Sequence, residues 1–170
     1  MLTPKQIIEW LKLQPNRVEG GYFAGTYEST SRVPGPCAGS ATEDRPLCSA
    51  IYYLLDHDTR SVIHRVTGDM IYHFYGGDPV EMLLLYPEGF ASRSEVCMFS
   101  SDIAAGGRPM KVIPGGTWLG SRLTPGGVYS LMGVTMAPGF DPKDYAIGKR
   151  DDLVKVYPER ASLIIELTRD

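Results

Sequence analysis

Between Gly20 and about Val134 the chain runs in short stretches rich in Tyr, Val, Ile and Thr, broken by clusters of Gly, Pro and Asp. That is the pattern of strands joined by tight turns. It predicts strands at Tyr22–Ser29, Ser49–Leu55, Ser61–Val66, Met70–Tyr75, Val80–Tyr86, Arg93–Phe99, Met110–Ile113, Thr117–Leu123 and Tyr129–Met136. With no helical pattern between them, the mainly β expectation is an antiparallel barrel or jelly roll rather than a parallel sheet. Thr3-Pro4-Lys5-Gln6 forms a capping box with proline at the first helical position, so a short helix carrying Ile7, Ile8 and Leu11 should open the chain and close near Gln14, before Pro15. After Pro138-Gly139 helical signals return. Asp151 and Asp152 open one segment, and Pro158-Glu159 opens another carrying Leu163, Ile164 and Leu167; both should cover one end of the barrel.

Residues 30–47 hold Pro34, Gly35, Pro36, Gly39 and Pro46 and read as one long loop. No repeat or linker divides the 170 residues, so residues 1–170 are expected to form a single domain. Seventeen Lys and Arg against twenty Asp and Glu leave a charge of -3, with no basic cluster longer than Lys149-Arg150. Nucleic acid is therefore not an expected partner. The longest apolar runs, Met82–Tyr86 and Leu163–Ile165, are far short of the roughly 20 residues that span a bilayer. The start resembles no signal peptide, and Cys37, Cys48 and Cys97 have no metal-ligand spacing, which together suggest a cytoplasmic setting; a Cys37–Cys48 bridge stays open.

The block from His64 to Pro79 resembles the first motif of the cupin superfamily. His64 falls at the first histidine of that motif, Val66 at the second, Met70 at its glutamate and Gly77 at its closing glycine. Gly107, Pro114 and Gly116 match the second motif, with Leu119 where its histidine would stand. Further blocks follow in order: Gln14-Pro15 through Glu19-Gly20-Gly21-Tyr22, Ile51 to Leu55, Val112 to Trp118, and Ala137-Pro138-Gly139-Phe140. Together they resemble the DUF985 group of cupins, the cupin_5 family, over the whole chain. The resemblance implies a barrel pocket and a homodimer. The chain departs from the family at Arg17-Val18, where the family tends to have His-Pro, and at Met70-Ile71-Tyr72, where it tends to have Glu-Ile-Trp.

With only three histidines in all, a three- or four-ligand metal centre is not expected, nor any cofactor. Strand alternation puts His64, Val66, Met70, Tyr72 and Phe74 on one face and His73 on the other. The expected pocket is apolar with sparse polar groups: His64, Tyr72, Phe74 and Tyr53, with Thr117, Leu119 and Ser121 from the opposite strand. Trp118 and Arg122 alternate outward and are candidates for the pocket mouth, Trp118 or Tyr72 stacking a ring and an arginine taking phosphate. The first functional expectation is thus a metal-free binding protein for a small organic ligand, a nucleotide or nucleotide sugar. The alternative is a sugar isomerase or epimerase with His64 as base and Tyr72 as acid, and Asp69 or another carboxylate orienting the imidazole. A storage-protein scaffold is a third class. The Glu19–Ser29 strand is the candidate edge for dimer pairing.

Overall fold

The computed structural model describes residues 2–34 and 44–169. The opening capping box forms, with the Thr3 amide donating to Gln6 Oε1 at 2.9 Å and the Gln6 amide to Thr3 Oγ1 at 3.3 Å. Helix α1 (Pro4–Trp10) ends earlier than the Pro15 signal suggested, because Lys12 adopts φ +53 and Gln14–Pro15 leave as strand β1.

The strands that follow are β2 (Tyr22–Glu28), β3 (Arg32–Pro34), β4 (Asp44–Pro46), β5 (Ser49–Asp56), β6 (Arg60–Arg65), β7 (Asp69–Gly77), β8 (Val80–Leu85), β9 (Ser94–Phe99), β10 (Met110–Ile113), β11 (Trp118–Leu123), β12 (Tyr129–Ala137) and β13 (Ala146–Ile147). Among the described residues they form a six-stranded sheet in the order β1-β2-β5-β12-β7-β10 and a five-stranded sheet in the order β13-β6-β11-β8-β9. All pairings within both sheets are antiparallel. The 30–47 loop is corrected in part: β3 and β4 pair as a hairpin at its two ends, and its centre, with Cys37, lies outside the described residues.

The two sheets enclose one core, built from the inward residues of each strand: Met70 and Tyr72 of β7, Val80, Met82 and Leu84 of β8, Leu119 of β11, and Met132, Val134 and Met136 of β12. From Met82 to Leu85 strand β8 reads as an unbroken apolar run because both its faces are covered there. Leu83 and Leu85 pack outward beneath α2 (Arg150–Val156) and α3 (Ala161–Leu167), against Leu153, Tyr157, Ile164 and Leu167. The C-terminal helices therefore cover a face of the five-stranded sheet, not an end of the barrel. No helix among the described residues is long and apolar enough to cross a membrane.

Leu84 is fully buried between the sheets. Leu84→Ala should cost about 2–5 kcal/mol of stability, since its neighbours belong to two hydrogen-bonded sheets that cannot collapse around the void; urea unfolding of the variant beside the parent chain measures it.

Candidate functional site

Strand β6 carries His64 into the interior by alternation, with Val62 two residues before it on the same face. The Val62 backbone joins two other parts of the site. Its amide donates to the Glu19 carbonyl at 2.8 Å, and its carbonyl lies 2.9 Å from His64 Nδ1. A carbonyl can only accept, so Nδ1 carries the proton and Nε2 is the nitrogen turned to the cavity chemistry. Nε2 lies 3.8 Å from Glu19 Oε2.

Glu19 reaches this position because two left-handed glycines follow it, Gly20 at φ +104 and Gly21 at φ +69. A Cβ at Gly20 would sit 2.1 Å from the Arg60 carbonyl oxygen, so no side chain fits where the loop presses on β6. The carboxylate accepts from the Ser61 hydroxyl at 3.3 Å on Oε1 and from the Tyr145 hydroxyl at 3.1 Å on Oε2. The Tyr145 ring stacks on the His64 imidazole, with centroids 5.2 Å apart and planes 13° from parallel.

Tyr145 follows a 3₁₀ turn, Pro142–Asp144, and precedes β13 on β6. That turn is gripped from below. Arg45 of β4, 1% exposed, is ion-paired with Asp144 and 4.0 Å from Asp141, while the Thr67 hydroxyl also donates to Asp144.

Glu19, His64 and Tyr145 line a cavity of about 850 Å³. Phe23 and Ile51 form part of its wall, Val66, Met70 and Tyr72 another, and Val134 and Met136 a third; Phe140 and Tyr145 lie over it. Burial, then the nearby Glu19 charge, pushes the Tyr53 and Tyr72 phenols well above their ordinary range. Burial first, then Glu19, raises Tyr145 as well. All three remain protonated donors through neutral pH. The Tyr53 hydroxyl donates to the Gly20 carbonyl at 2.9 Å, whereas that of Tyr72 has no hydrogen-bond partner among the described residues.

Of the residues expected from sequence, Tyr53, His64 and Tyr72 converge on this cavity. Phe74 packs edge-on against Phe99 within the core, 5.6 Å between centroids, away from the cavity. Thr117, Leu119 and Ser121 are buried and do not line it; Thr117 Oγ1 and Ser121 Oγ have no hydrogen-bond partner among the described residues. Trp118 lies on the outer face with the C-terminal helices, and the Arg65 guanidinium sits 4.6 Å above its ring. Arg122 is held outside by Glu81 at 2.9 Å and by Glu166. Both were candidates for the mouth, and both belong to the packing of the opposite sheet face. Asp69 does not orient the imidazole: it accepts from the Gly115 amide at 2.8 Å. The group that orients the imidazole is the Val62 carbonyl, and the carboxylate nearest the ring is Glu19, 3.8 Å from Nε2.

Sequence reasoning missed Glu19 and Tyr145 as site residues. Glu19 had a signal, the Glu-Gly-Gly-Tyr block; Tyr145 lay in a segment without periodicity.

A metal in such a barrel needs three or more converging donors. Among the described residues no group of three His, Cys, Asp or Glu could hold one; His64 and Glu19 supply two donors, with Val66 and Met70 beside them. The donor set does not fit a resident metal.

The model of one family, the Cupin superfamily (DUF985), matches residues 5–148. A hypothetical protein from Leishmania major superposes with a TM-score of 0.89 at 23% identity, covering 99% of this chain and 100% of that one. A protein from Shewanella oneidensis gives 0.83 at 30% identity, covering 99% of each chain. A cupin 2 conserved barrel domain protein from Rhodopseudomonas palustris gives 0.52 at 14% identity over 92% of this chain and 96% of that one, a likeness of fold alone. No curated protein matches.

The raised phenols set an alkaline limit. In the folded chain Tyr53 and Tyr72 hold their protons above the ordinary value near 10, so between that value and the folded one the native state binds more protons than the unfolded. Stability is complete below about pH 10 and falls as pH rises beyond it, by up to about 1.4 kcal/mol per pH unit for each tyrosine. Phenolate absorbance near 295 nm should show these two rings titrating only as the chain unfolds.

Proposed function

We propose that this chain, which belongs to the Cupin superfamily (DUF985) family, holds a small organic ligand in the cavity between its sheets without using a metal. The observation that carries the reading is the polar cluster in an otherwise apolar chamber: a histidine whose Nδ1 is fixed by Val62, with Nε2 turned toward the buried carboxylate of Glu19. Pockets of this kind bind through apolar walls and orient through few polar groups. A storage scaffold would need neither residue.

The narrower expectation of a nucleotide or nucleotide sugar has support only for its ring portion, from the aromatic walls. No Lys or Arg lines the cavity among the described residues, and residues 35–43 contain neither. Phosphates would have to remain outside it, in solvent.

A second reading, proton transfer, is favoured by the fixed tautomer, in which the Val62 carbonyl holds Nδ1 and Nε2 is turned to the cavity. His64 Nε2 would take a proton from a carbon beside a carbonyl of a sugar derivative, and the unpartnered Tyr72 hydroxyl would return one to the opposite face.

For assembly, we propose a homodimer paired through β2. Strand β1 pairs with β2 only at Tyr22 and Phe23, leaving the outer edge from Ala24 to Glu28 without a strand among the described residues; Tyr27 there is exposed. Sedimentation at micromolar concentration should give a dimer, and a clean monomer would sink the pairing.

Native mass spectrometry of gently purified protein should show a small organic adduct and no stoichiometric metal. Ile51→Trp, which enlarges an inward-facing wall residue into the cavity, should abolish the adduct while the fold persists. Proton transfer predicts that the recovered ligand gains deuterium from heavy water, and that His64→Gln stops this exchange while retaining binding. Stoichiometric metal overturns the metal-free reading, and adduct retention in Ile51→Trp overturns the cavity assignment.

A further inference from the structure

We infer that the cavity takes a small organic cation, an ammonium carried on an apolar or aromatic body. This rests on the reading of the cavity as a ligand site and adds the sign of the ligand's charge.

The walls are built from groups that attract positive charge. Aromatic residues line them: Phe23, Tyr53, Tyr72, Phe140 and Tyr145. The face of each ring carries the negative lobe of its quadrupole, which draws a cation placed over it within about 6 Å. Two carboxylates, Glu19 and Glu28, complete the lining, and no Lys or Arg joins them among the described residues. The cation nearest Glu28 is Arg32, 3.5 Å away in an exposed pair where solvent screens both charges.

Glu19 has acceptor capacity to spare. A carboxylate offers about four lone-pair sites. The Ser61 and Tyr145 hydroxyls occupy two, and His64 Nε2 at 3.8 Å is beyond hydrogen-bond reach. An ammonium beside Oε1 or Oε2 would make charge-assisted hydrogen bonds in a poorly solvated chamber, where they are strongest. Burial, and after it the Glu19 charge, raises the Tyr53, Tyr72 and Tyr145 phenols, in keeping with a carboxylate that faces all three.

An anion meets the opposite situation. It would lie near Glu19, and the hydroxyls of Tyr53 and Tyr145 are already committed to Gly20 and Glu19. Only Tyr72 and His64 remain to receive it.

The test uses three probes that share an indole and differ in the charge of a short side chain: tryptamine (cation), tryptophol (neutral) and indole-3-acetate (anion), titrated calorimetrically into the intact chain at neutral pH. Tryptamine should bind ~10-fold or more tighter than tryptophol, with indole-3-acetate weakest. Glu19→Gln should bring tryptamine down to the affinity of tryptophol and leave tryptophol itself nearly unchanged. The parent-chain series decides alone if that variant does not fold. Equal affinities for tryptamine and tryptophol, or tightest binding by indole-3-acetate, would overturn the cation assignment while leaving the cavity reading intact. Binding by none of the three up to millimolar concentration would overturn both.

Discussion

A carboxylate inside a β sandwich is the constraint around which this molecule is arranged. Moving Glu19 out of water costs several kcal/mol, on the order estimated for a buried ion before compensation. Hydroxyls from Ser61 and Tyr145 supply compensation. They come from separate stretches of chain. Ser61 lies on β6 with His64, Tyr145 lies on the segment that returns across it, and Glu19 enters through the Gly20-Gly21 turn. The site and this end of the fold are therefore one problem, solved once. Removing the carboxylate would leave two hydroxyls without their acceptor, and removing a hydroxyl would leave a charge under-solvated.

The β6 backbone does more than carry a histidine. With Val62 donating to the Glu19 carbonyl and accepting from His64, one residue sets the distance between the loop and the ring. A rigid strand positions such a constellation more closely than a loop can. The likeness to the Rhodopseudomonas palustris barrel at 14% identity is one of fold and carries no statement about these site residues.

The part of the fold written as alternation was legible. His64, Val66, Met70 and Tyr72 face inward and His73 and Trp118 outward because a strand has a period of two, which a sequence displays directly. What alternation cannot show is the partner. It sent Arg122 and Trp118 outward, but the surfaces waiting there, Glu166 on α3 and the underside of the helices, depend on where distant segments dock. Likewise the apolar stripes of α2 and α3 announced burial without saying that a sheet face, rather than a barrel end, would receive them. Tyr145 and Arg45 were illegible for a related reason: neither lies in a run with a periodic pattern, and each is placed by contacts with distant segments. Asp69 was close to His64 in sequence and took a turn amide instead, while Glu19, far away along the chain, is the carboxylate that comes nearest the imidazole.

The walls and the roof of the chamber differ in how they are fastened. In the walls, β5, β7 and β12 are paired on both sides. The roof, the segment from Gly139 to Gly148, is held by scattered contacts: the Gly139 amide to Pro46, the Phe140 amide to the Ser49 hydroxyl, the Gly148 amide to Ile63, two residues of β13, the Tyr145 hydroxyl on Glu19, and Asp144 with Arg45 and Thr67. Segments with few such bonds open at a fraction of the free energy needed to unfold the whole. The Arg45–Asp144 pair ties β4 to the segment that lays Tyr145 on His64, so a substitution in β4 can reach the ring stack without altering any residue that lines the cavity.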